Sequence, residues 1–185
     1  MKHLLPAIII VLFISCNTTS ELKKEFPCES SNSFSNLKKV DDIRNLFSLS
    51  LPANWKINLY YDDGQTSIYT ADTTLSLTKT TIIDATLIHA PINFNASFKQ
   101  KMATDNAKMG LQELQTKNIT LFKNKEAYYN YATGKKGKYP YQILNTFIKS
   151  NSDNFLHIKT QIYGDSLVNE RLCKAINLID KIQLK

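Results

Sequence analysis

Short turns between alternating apolar and polar runs constrain the fold of this chain more than any other feature. Residues 47–51 alternate strictly, as a strand with one buried face does. Residues 56–61 and 66–70 also read as strands, and Asp62-Asp63-Gly64-Gln65 between them is typical of a hairpin turn in which Gly64 takes a positive φ. Strands joined by turns this short pair antiparallel. The first half of the chain therefore predicts an antiparallel sheet.

The strand pattern continues to the C-terminus and is interrupted by two helical segments. Residues 95–116 contain no proline and many good helix formers, and Asn95 can cap their start. A final amphipathic helix follows Gly164, with Asp165 or Ser166 as its cap. This order of strands and helices indicates an α+β fold rather than a doubly wound one. Further strands are expected at 81–90, 119–122, 127–133, 139–148 and 155–163. The apolar stripe of the first helix is expected at Ala103, Ala107, Leu111 and Leu114, beside Phe98 and Met102.

The N-terminus has the organisation of a bacterial lipoprotein leader. Residues 4–14 are uninterrupted by a polar residue, too short to span a bilayer but long enough for a signal-peptide core. Phe13-Ile14-Ser15-Cys16 resembles a lipobox, with Phe13 in place of the commoner leucine. We expect residues 1–15 to be a signal peptide and Cys16 to carry the lipid that anchors the protein in the bacterial cell envelope, facing the periplasm or the exterior. The alternatives are an ordinary secretory signal and an uncleaved anchor.

Two further segments complete the domain organisation. Residues 16–36 are polar and rich in Ser, Asn and Lys, which predicts a flexible tether. We expect the folded domain at residues 37–185. Its first apolar residues recur every three positions, which favours a short helical turn or an irregular lead-in; they are Leu37, Val40, Ile43 and Leu46.

The net charge of +7 does not predict a nucleic-acid site. Of the 23 basic residues only Arg44 and Arg171 are arginines, and the lysines are spread along the chain. Nucleic-acid sites favour clustered basic residues with stacking aromatics. The charge is consistent with a preference for acidic surfaces or anionic lipid.

Besides Cys16, the chain has two cysteines, Cys28 and Cys173. Outside the cytoplasm they can form a disulfide that joins the N-terminal segment to the last helix. The alternative is a buried free thiol at Cys173 and an unpaired Cys28.

The element order resembles that of the PsbP-like (DcrB-like) superfamily. The residues that carry the likeness are Phe47-Ser48-Leu49-Ser50-Leu51-Pro52, then Trp55, the Ala127-Tyr128-Tyr129 strand and the helix after Gly164-Asp165-Ser166. The resemblance implies an antiparallel sheet packed between helices, an α/β/α sandwich. Many members are bacterial lipoproteins of unknown function, and most act as binding or assembly modules. The family offers no catalytic residues to carry over.

Few residues are candidates for catalysis or for metal binding. His89 and His157 lie in expected strands outside any known catalytic motif, and Asp84 lies within an apolar run. Asp62 and Asp63 are better explained by turn formation than by metal binding. We therefore expect no catalytic residue, no metal and no cofactor. Convergence of Asp84, His89 and His157 in one cleft would favour an enzyme.

One hairpin combines tyrosines with lysines and is a candidate binding surface. Its residues are Tyr129, Tyr131, Tyr139, Tyr141, Lys135 and Lys136. Alternate tyrosines also pack commonly against helices, so exposure decides between the two interpretations. The first functional hypothesis is a non-enzymatic, lipid-anchored binding or assembly module with an envelope protein as its partner. The alternative is a small-ligand or glycan-binding lipoprotein with a pocket between sheet and helix.

Overall fold

A computed structural model of the chain describes residues 20–28, 33–122 and 124–185. The helices within these ranges are α1 (Glu21–Lys24), α2 (Ala96–Lys108) and α3 (Val168–Ile179). The strands there are β1 (Leu37–Asp41), β2 (Phe47–Pro52), β3 (Lys56–Tyr61), β4 (Gln65–Ala71), β5 (Thr81–Ile88), β6 (Gln112–Leu121), β7 (Lys125–Lys136), β8 (Tyr139–Lys149), β9 (Phe155–Tyr163) and β10 (Gln183–Leu184). The expected signal peptide and Cys16 lie outside the described residues.

Seven strands form the main sheet in the order β3-β4-β5-β9-β8-β7-β6, and all neighbours pair antiparallel. A smaller sheet has the order β1-β2-β10. Antiparallel sheets with separate helices make this an α+β protein. The turn between β3 and β4 forms where the sequence predicts it, but Gly64 has no positive φ. The Asp62 carboxylate holds the turn instead, because its Oδ1 accepts from the backbone N–H of Gly64 at 2.8 Å and of Gln65 at 3.0 Å.

The larger hydrophobic core lies on one face of the main sheet. Alternate residues of β9 point into it, among them Leu156 and Ile158, and both are fully buried. α3 and the smaller sheet cover this face with apolar residues of the same core. The expected cap of α3 is wrong: the helix begins after Leu167, which has a φ of 51° and makes no side-chain capping hydrogen bond. Burial of its apolar face stabilises α3 instead.

The opposite face of the sheet is partly covered by α2. Asn95 caps this helix as expected, since its side chain accepts from the backbone N–H of Phe98 at 3.0 Å. The helix ends at Lys108 rather than near residue 116, because Gly110 has a φ of 68° and the following residues pair with β7. The β ladder thus prevails over helix propensity there.

The expected apolar stripe of α2 is also wrong. Ala103 and Ala107 are exposed, and Leu114 lies in β6 with half of its surface exposed. The helix instead turns Phe98, Met102 and Asn106 toward the sheet, and Asn106 Nδ2 donates to Asn130 Oδ1 at 2.9 Å. These three lie four residues apart, so they share one side of the helix.

Part of the expected tether belongs to the folded domain. Leu22 is fully buried, and the Phe26 ring packs against Tyr129 and Tyr131 at centroid distances of 5.6 and 5.5 Å. The structure joins Cys28 to Cys173 in a disulfide, so the bonded alternative holds. Residues 20–28 are therefore held on the domain by apolar burial and a covalent link, which the polar composition of the segment did not indicate.

The lead-in at residues 37–41 is a strand rather than a helical turn. Each of its residues pairs with β2, from Leu37 opposite Pro52 to Asp41 opposite Ser48. The turn that follows is organised by Asp42, whose buried carboxylate accepts from backbone N–H groups of residues 44, 46 and 47 at 2.6–2.8 Å. Backbone pairing therefore decides this segment, and its apolar spacing does not.

Candidate functional site

The candidate site is a groove between α2 and the part of the main sheet that α2 leaves uncovered. It has a volume of about 630 Å³. Its floor is formed by side chains of β5, β8 and β9, and Phe98, Met102 and Asp105 of α2 form one wall. The groove exists because α2 crosses the sheet over Tyr128 and Phe147, on one side of that face.

Strand periodicity places four residues of β9 on the groove floor. Phe155, His157, Lys159 and Gln161 all line the groove, whereas the residues between them point to the opposite face. This alternation follows from the two-residue repeat of a strand. One face of β9 is thus apolar and the other is largely polar, and the polar face meets the groove.

His157 is a largely buried titratable group of the groove floor. Its ring stacks on Phe147, with a centroid distance of 4.0 Å and an interplanar angle of 14°. Its Nε2 lies 3.0 Å from Asn145 Oδ1, so a neutral ring protonated at Nε2 donates to that oxygen. Burial, together with the positive charge of Lys159, lowers the pKa of His157 to about 3. The ring is therefore neutral at physiological pH and leaves Nδ1 as an acceptor.

Asp84 and Lys159 form the charged centre of the floor. They are opposite each other in the pairing of β5 and β9, and Lys159 Nζ lies 3.7 Å from Asp84 Oδ2. Thr86 Oγ1 donates to Asp84 Oδ1 at 3.0 Å. The side chain of Asp84 lies outside the core, is paired with Lys159 and lines the groove.

Lys136 and Tyr141 define one end of the groove. The Lys136 ammonium lies 5.2 Å from the ring centroid of Tyr141 and 5.6 Å from that of Tyr163. The Tyr141 hydroxyl donates to Gln161 Oε1 at 3.0 Å. Among the described residues, no carboxylate oxygen lies within 4 Å of the Lys136 ammonium. Its contacts there are with aromatic faces, which attract a cation without neutralising it.

The opposite end of the groove is apolar and aromatic. Phe98 lies edge-on to Phe147 at a centroid distance of 5.1 Å, and Phe155 lies 6.4 Å from Phe147. Ile92 and Met102 complete this end. The two other lysines of the groove have carboxylate partners, since Lys101 pairs with Asp105 at 2.6 Å and Lys159 with Asp84. The groove therefore combines an apolar end with one unpaired positive charge.

The tyrosines and lysines of the candidate hairpin do not form one exposed surface. Tyr129 is fully buried against Phe26, and the partly buried Tyr131 lies on the same face of β7. Tyr141 is buried on the opposite, groove-facing side. Tyr139 is half-buried, while Lys135 and Lys136 are exposed. Strand alternation distributes these side chains over two faces, so only Lys136 and Tyr141 come together at the groove.

The three candidates for catalysis converge only in part. Asp84 and His157 line the groove, but His89 lies at the end of β5, where its ring contacts Arg44 and Asn154. No hydrogen bond between a histidine and a carboxylate is found among the described residues. Nor does any group of three or more His, Cys, Asp or Glu residues in that part of the chain have a geometry suited to a metal ion.

Sequence reasoning missed several groove residues, notably Lys159, Gln161 and Asn145. The signal was present in β9, where the residues alternating with the apolar positions are polar on a strand that lies inside the sheet. A polar face on an inner strand indicates a surface that is not fully packed. For α2 no comparable signal existed, because its contact side contains the polar Asn106.

The sequence matches no protein-family model, and no curated protein sequence matches it. Solved structures do resemble the fold. LpqN of Mycobacterium tuberculosis, which is involved in cell envelope biogenesis, aligns over 80% of this chain and 90% of its own, with 13% identity and a TM-score of 0.51. This likeness concerns the fold alone.

Two other bacterial structures align with lower TM-scores. The protein of unknown function PA94 from Pseudomonas aeruginosa aligns over 82% of this chain and 99% of its own, with 10% identity and a TM-score of 0.45. A Bacteroides thetaiotaomicron protein aligns over 82% of this chain, with 11% identity and a TM-score of 0.47. The chain spans about half the length of that protein, 49%. The neighbours are therefore bacterial proteins, and the PsbP-like assignment stays a prediction.

Proposed function

We propose that this chain is a lipid-anchored protein of the bacterial envelope that binds a small organic ligand in the groove between the main sheet and α2. The observation that carries the proposal is the pairing of an aromatic end with the uncompensated charge of Lys136 in one groove. Ligand sites commonly combine an apolar lining with a few polar groups that orient the ligand.

The groove fits a ligand with an apolar or aromatic body and one anionic group. The body would contact Phe98, Phe147 and Phe155, which bound the apolar end. The anionic group would pair with the Lys136 ammonium, which contacts aromatic rings and has no carboxylate partner among the described residues. His157 Nδ1 offers an acceptor between these two regions for a hydroxyl or an N–H of the ligand.

Binding rather than catalysis is supported by the state of His157. A histidine whose pKa is about 3 is a weak base at neutral pH, and its Nε2 contacts an amide oxygen instead of a carboxylate. The polar groups that surround it, Asp84 and Lys159, neutralise each other. This arrangement orients a ligand more readily than it transfers a proton.

The proposed location rests on the leader and is consistent with the fold. The lipobox-like sequence at Cys16 supports anchoring, and LpqN, which shares the fold, belongs to a cell envelope process. Helices on both faces of an antiparallel sheet support the PsbP-like interpretation of the architecture. The assembly-module hypothesis stays a prediction. The hairpin named as a candidate binding surface does not add to it, since its tyrosines lie on two faces of the sheet.

Two fluorescent probes test the proposal on residues 17–185, which include all of the described core. 1-Anilinonaphthalene-8-sulfonate has an aromatic body with an anionic group, and N-phenyl-1-naphthylamine has a similar body without the charge. We expect both to bind, and Lys136→Met to weaken only the sulfonate, by about tenfold in Kd, as expected for the loss of one charge-assisted contact. Lys135→Met is the matched control, because Lys135 is the exposed neighbour outside the groove.

Each outcome is informative about the groove. Equal effects of the two lysine substitutions, or a loss of both probes with Lys136→Met, would contradict the role given to Lys136. Met102→Glu places a negative charge at the apolar end and should weaken both probes. Retention of both by this variant, with an unchanged circular dichroism spectrum, would place the binding elsewhere and overturn the proposal.

A further inference from the structure

The strand β3 is an open edge of the main sheet. It stands first in the strand order, and among the strands of the described residues β4 is its only neighbour in the sheet. Leu59, Tyr60 and Tyr61 are 38%, 56% and 62% exposed. An edge strand presents unpaired backbone N–H and C=O groups, and natural proteins commonly protect such edges with charges, bulges or covering segments.

The other edge of the same sheet is protected by the N-terminal segment. Glu21 Oε2 accepts from the backbone N–H of Thr120 in β6 at 2.6 Å, and Glu25 pairs with Lys117 at 2.6 Å. A bulge also shifts the register of β6 between Glu113 and Gln115. The two edges therefore differ: β6 carries protective features, whereas three large side chains of β3 are open to solvent.

Hydrogen bonding to β4 determines which backbone groups of β3 face outward. Asp62 and Gln65 form a hydrogen-bonded pair at the turn, with the N–H of Asp62 donating to the carbonyl of Gln65 at 2.9 Å. Antiparallel strands alternate between bonded and non-bonded pairs, so residues 56, 58 and 60 direct their backbone groups to β4. Residues 57, 59 and 61 direct theirs outward.

We propose that β3 pairs with β3 of a second copy of this chain, antiparallel about a two-fold axis at Leu59. In this register the outward backbone groups of Leu59 face those of Leu59 in the second copy. The outward groups of residue 57 face those of residue 61 in the second copy. The register also places Lys56 opposite Asp62 of the second copy, twice across the axis. The result is one continuous sheet with an isologous interface.

Charge complementarity favours a second copy as the occupant. Lys56 has no carboxylate oxygen within 4 Å among the described residues, and both it and Asp62 are exposed. In the proposed register they form a non-hydrogen-bonded pair, in which side chains approach most closely. Opposite charges at such cross-strand positions are stabilising, and like charges are destabilising. In the same register Leu59 meets Leu59 of the second copy, and Tyr61 meets its Ile57.

Cysteine crosslinking of the full chain in bacterial membranes tests the register. In a hydrogen-bonded antiparallel pair the two Cα atoms lie about 5.5 Å apart, within the range of a disulfide. Leu59→Cys should therefore form a covalent dimer on a non-reducing gel. Asn58→Cys should not form a covalent dimer, because residue 58 lies opposite residue 60 of the second copy and not opposite its own counterpart. The unsubstituted chain supplies the background from Cys16, Cys28 and Cys173.

A charge reversal in the crosslinking background tests the pairing itself. Lys56→Glu places like charges opposite each other twice and should lower the dimer yield roughly tenfold. Lys38→Glu makes the same change at an exposed lysine of β1 and should leave the yield unchanged. Absence of a Leu59→Cys dimer in chains whose Cys28–Cys173 bond is intact, equal yields in the two charge variants, or crosslinking to a different protein would each overturn the proposal.

Discussion

At the residue scale, the chemistry of the groove depends on environment more than on residue type. His157 lies in β9 and stacks on Phe147, whereas His89 follows the last residue of β5 and contacts Arg44 and Asn154. Lys136 and its neighbour Lys135 differ in the same way, since only Lys136 contacts aromatic rings at the groove. Position on a strand face assigns these roles.

The depressed pKa of His157 makes the stability of the domain depend on pH. In the folded chain the ring protonates only near pH 3, whereas an unfolded histidine protonates near pH 6.5. Between these values the unfolded state binds more protons, so stability falls as the pH is lowered from 6.5 toward 3. A single such group contributes a slope of at most about 1.4 kcal/mol per pH unit.

Urea unfolding at a series of pH values between 4 and 8 measures this dependence. We expect the free energy of unfolding of His157→Gln to fall less steeply below pH 6.5 than that of the wild type. The matched control is Asn58→Gln, which changes a strand residue that does not titrate and should keep the wild-type slope. An imidazole resonance of His157 that titrates near pH 6.5 in NMR spectra would contradict the prediction.

At the element scale, the N-terminal segment is part of the fold. α1 and the residues after it bury Leu22 and Phe26, and they contact β6 through Glu21 and Glu25. The hydroxyl of Tyr129 donates to Glu25 Oε2 at 3.2 Å, and burial, reinforced by the Glu25 charge, raises the pKa of Tyr129 above its usual range. The Cys28–Cys173 disulfide then connects this segment to α3.

Removal of the disulfide tests how much this connection stabilises the domain. The bond closes a loop with a sequence separation of 145 residues, and such links commonly contribute about 2–4 kcal/mol. We expect the double variant Cys28→Ala, Cys173→Ala to lose about that much unfolding free energy in urea. Alanine is preferred at position 173 because the side chain is buried. The chemically reduced wild-type chain should show a similar loss, and a change below about 0.5 kcal/mol in both would refute the prediction.

At the scale of the whole molecule, the fold combines one face that carries the larger core with one that is only partly covered. α3 and the smaller sheet close the first, and α2 leaves the groove on the second. In the described part of the chain, no helix is long and apolar enough to cross a membrane. The expected signal peptide and Cys16 lie outside the described residues.

Lipidation at Cys16 is testable in a bacterial host. We expect the full chain to incorporate labelled palmitate and to sediment with membranes, because several acyl chains give stable anchoring. Cys16→Ala should lose the label, whereas Cys28→Ala should keep it. Absence of label from the unsubstituted chain would contradict the lipoprotein assignment and favour one of the two alternatives for the leader.

The sequence by itself predicted the elements whose signals are local. The hairpin at Asp62, the start of α2 at Asn95 and the strand 155–163 depend on turn chemistry, a capping side chain and alternation within a few residues. The α+β class followed from their order. Even there, local signals misplaced the end of α2, because residues 112–121 gain backbone hydrogen bonds only when β7 is beside them.

Tertiary structure alone decided the site. Asp84, His157 and Lys136 are far apart in the chain and line one groove because β5, β9, β8 and β7 are consecutive in the sheet. It also decided that the tyrosines of the hairpin separate onto two faces and that residues 20–28 pack on the domain. Burial and charge compensation are properties of these long-range contacts. Local sequence patterns determine which elements form, and packing between distant elements determines which side chains remain available to a ligand.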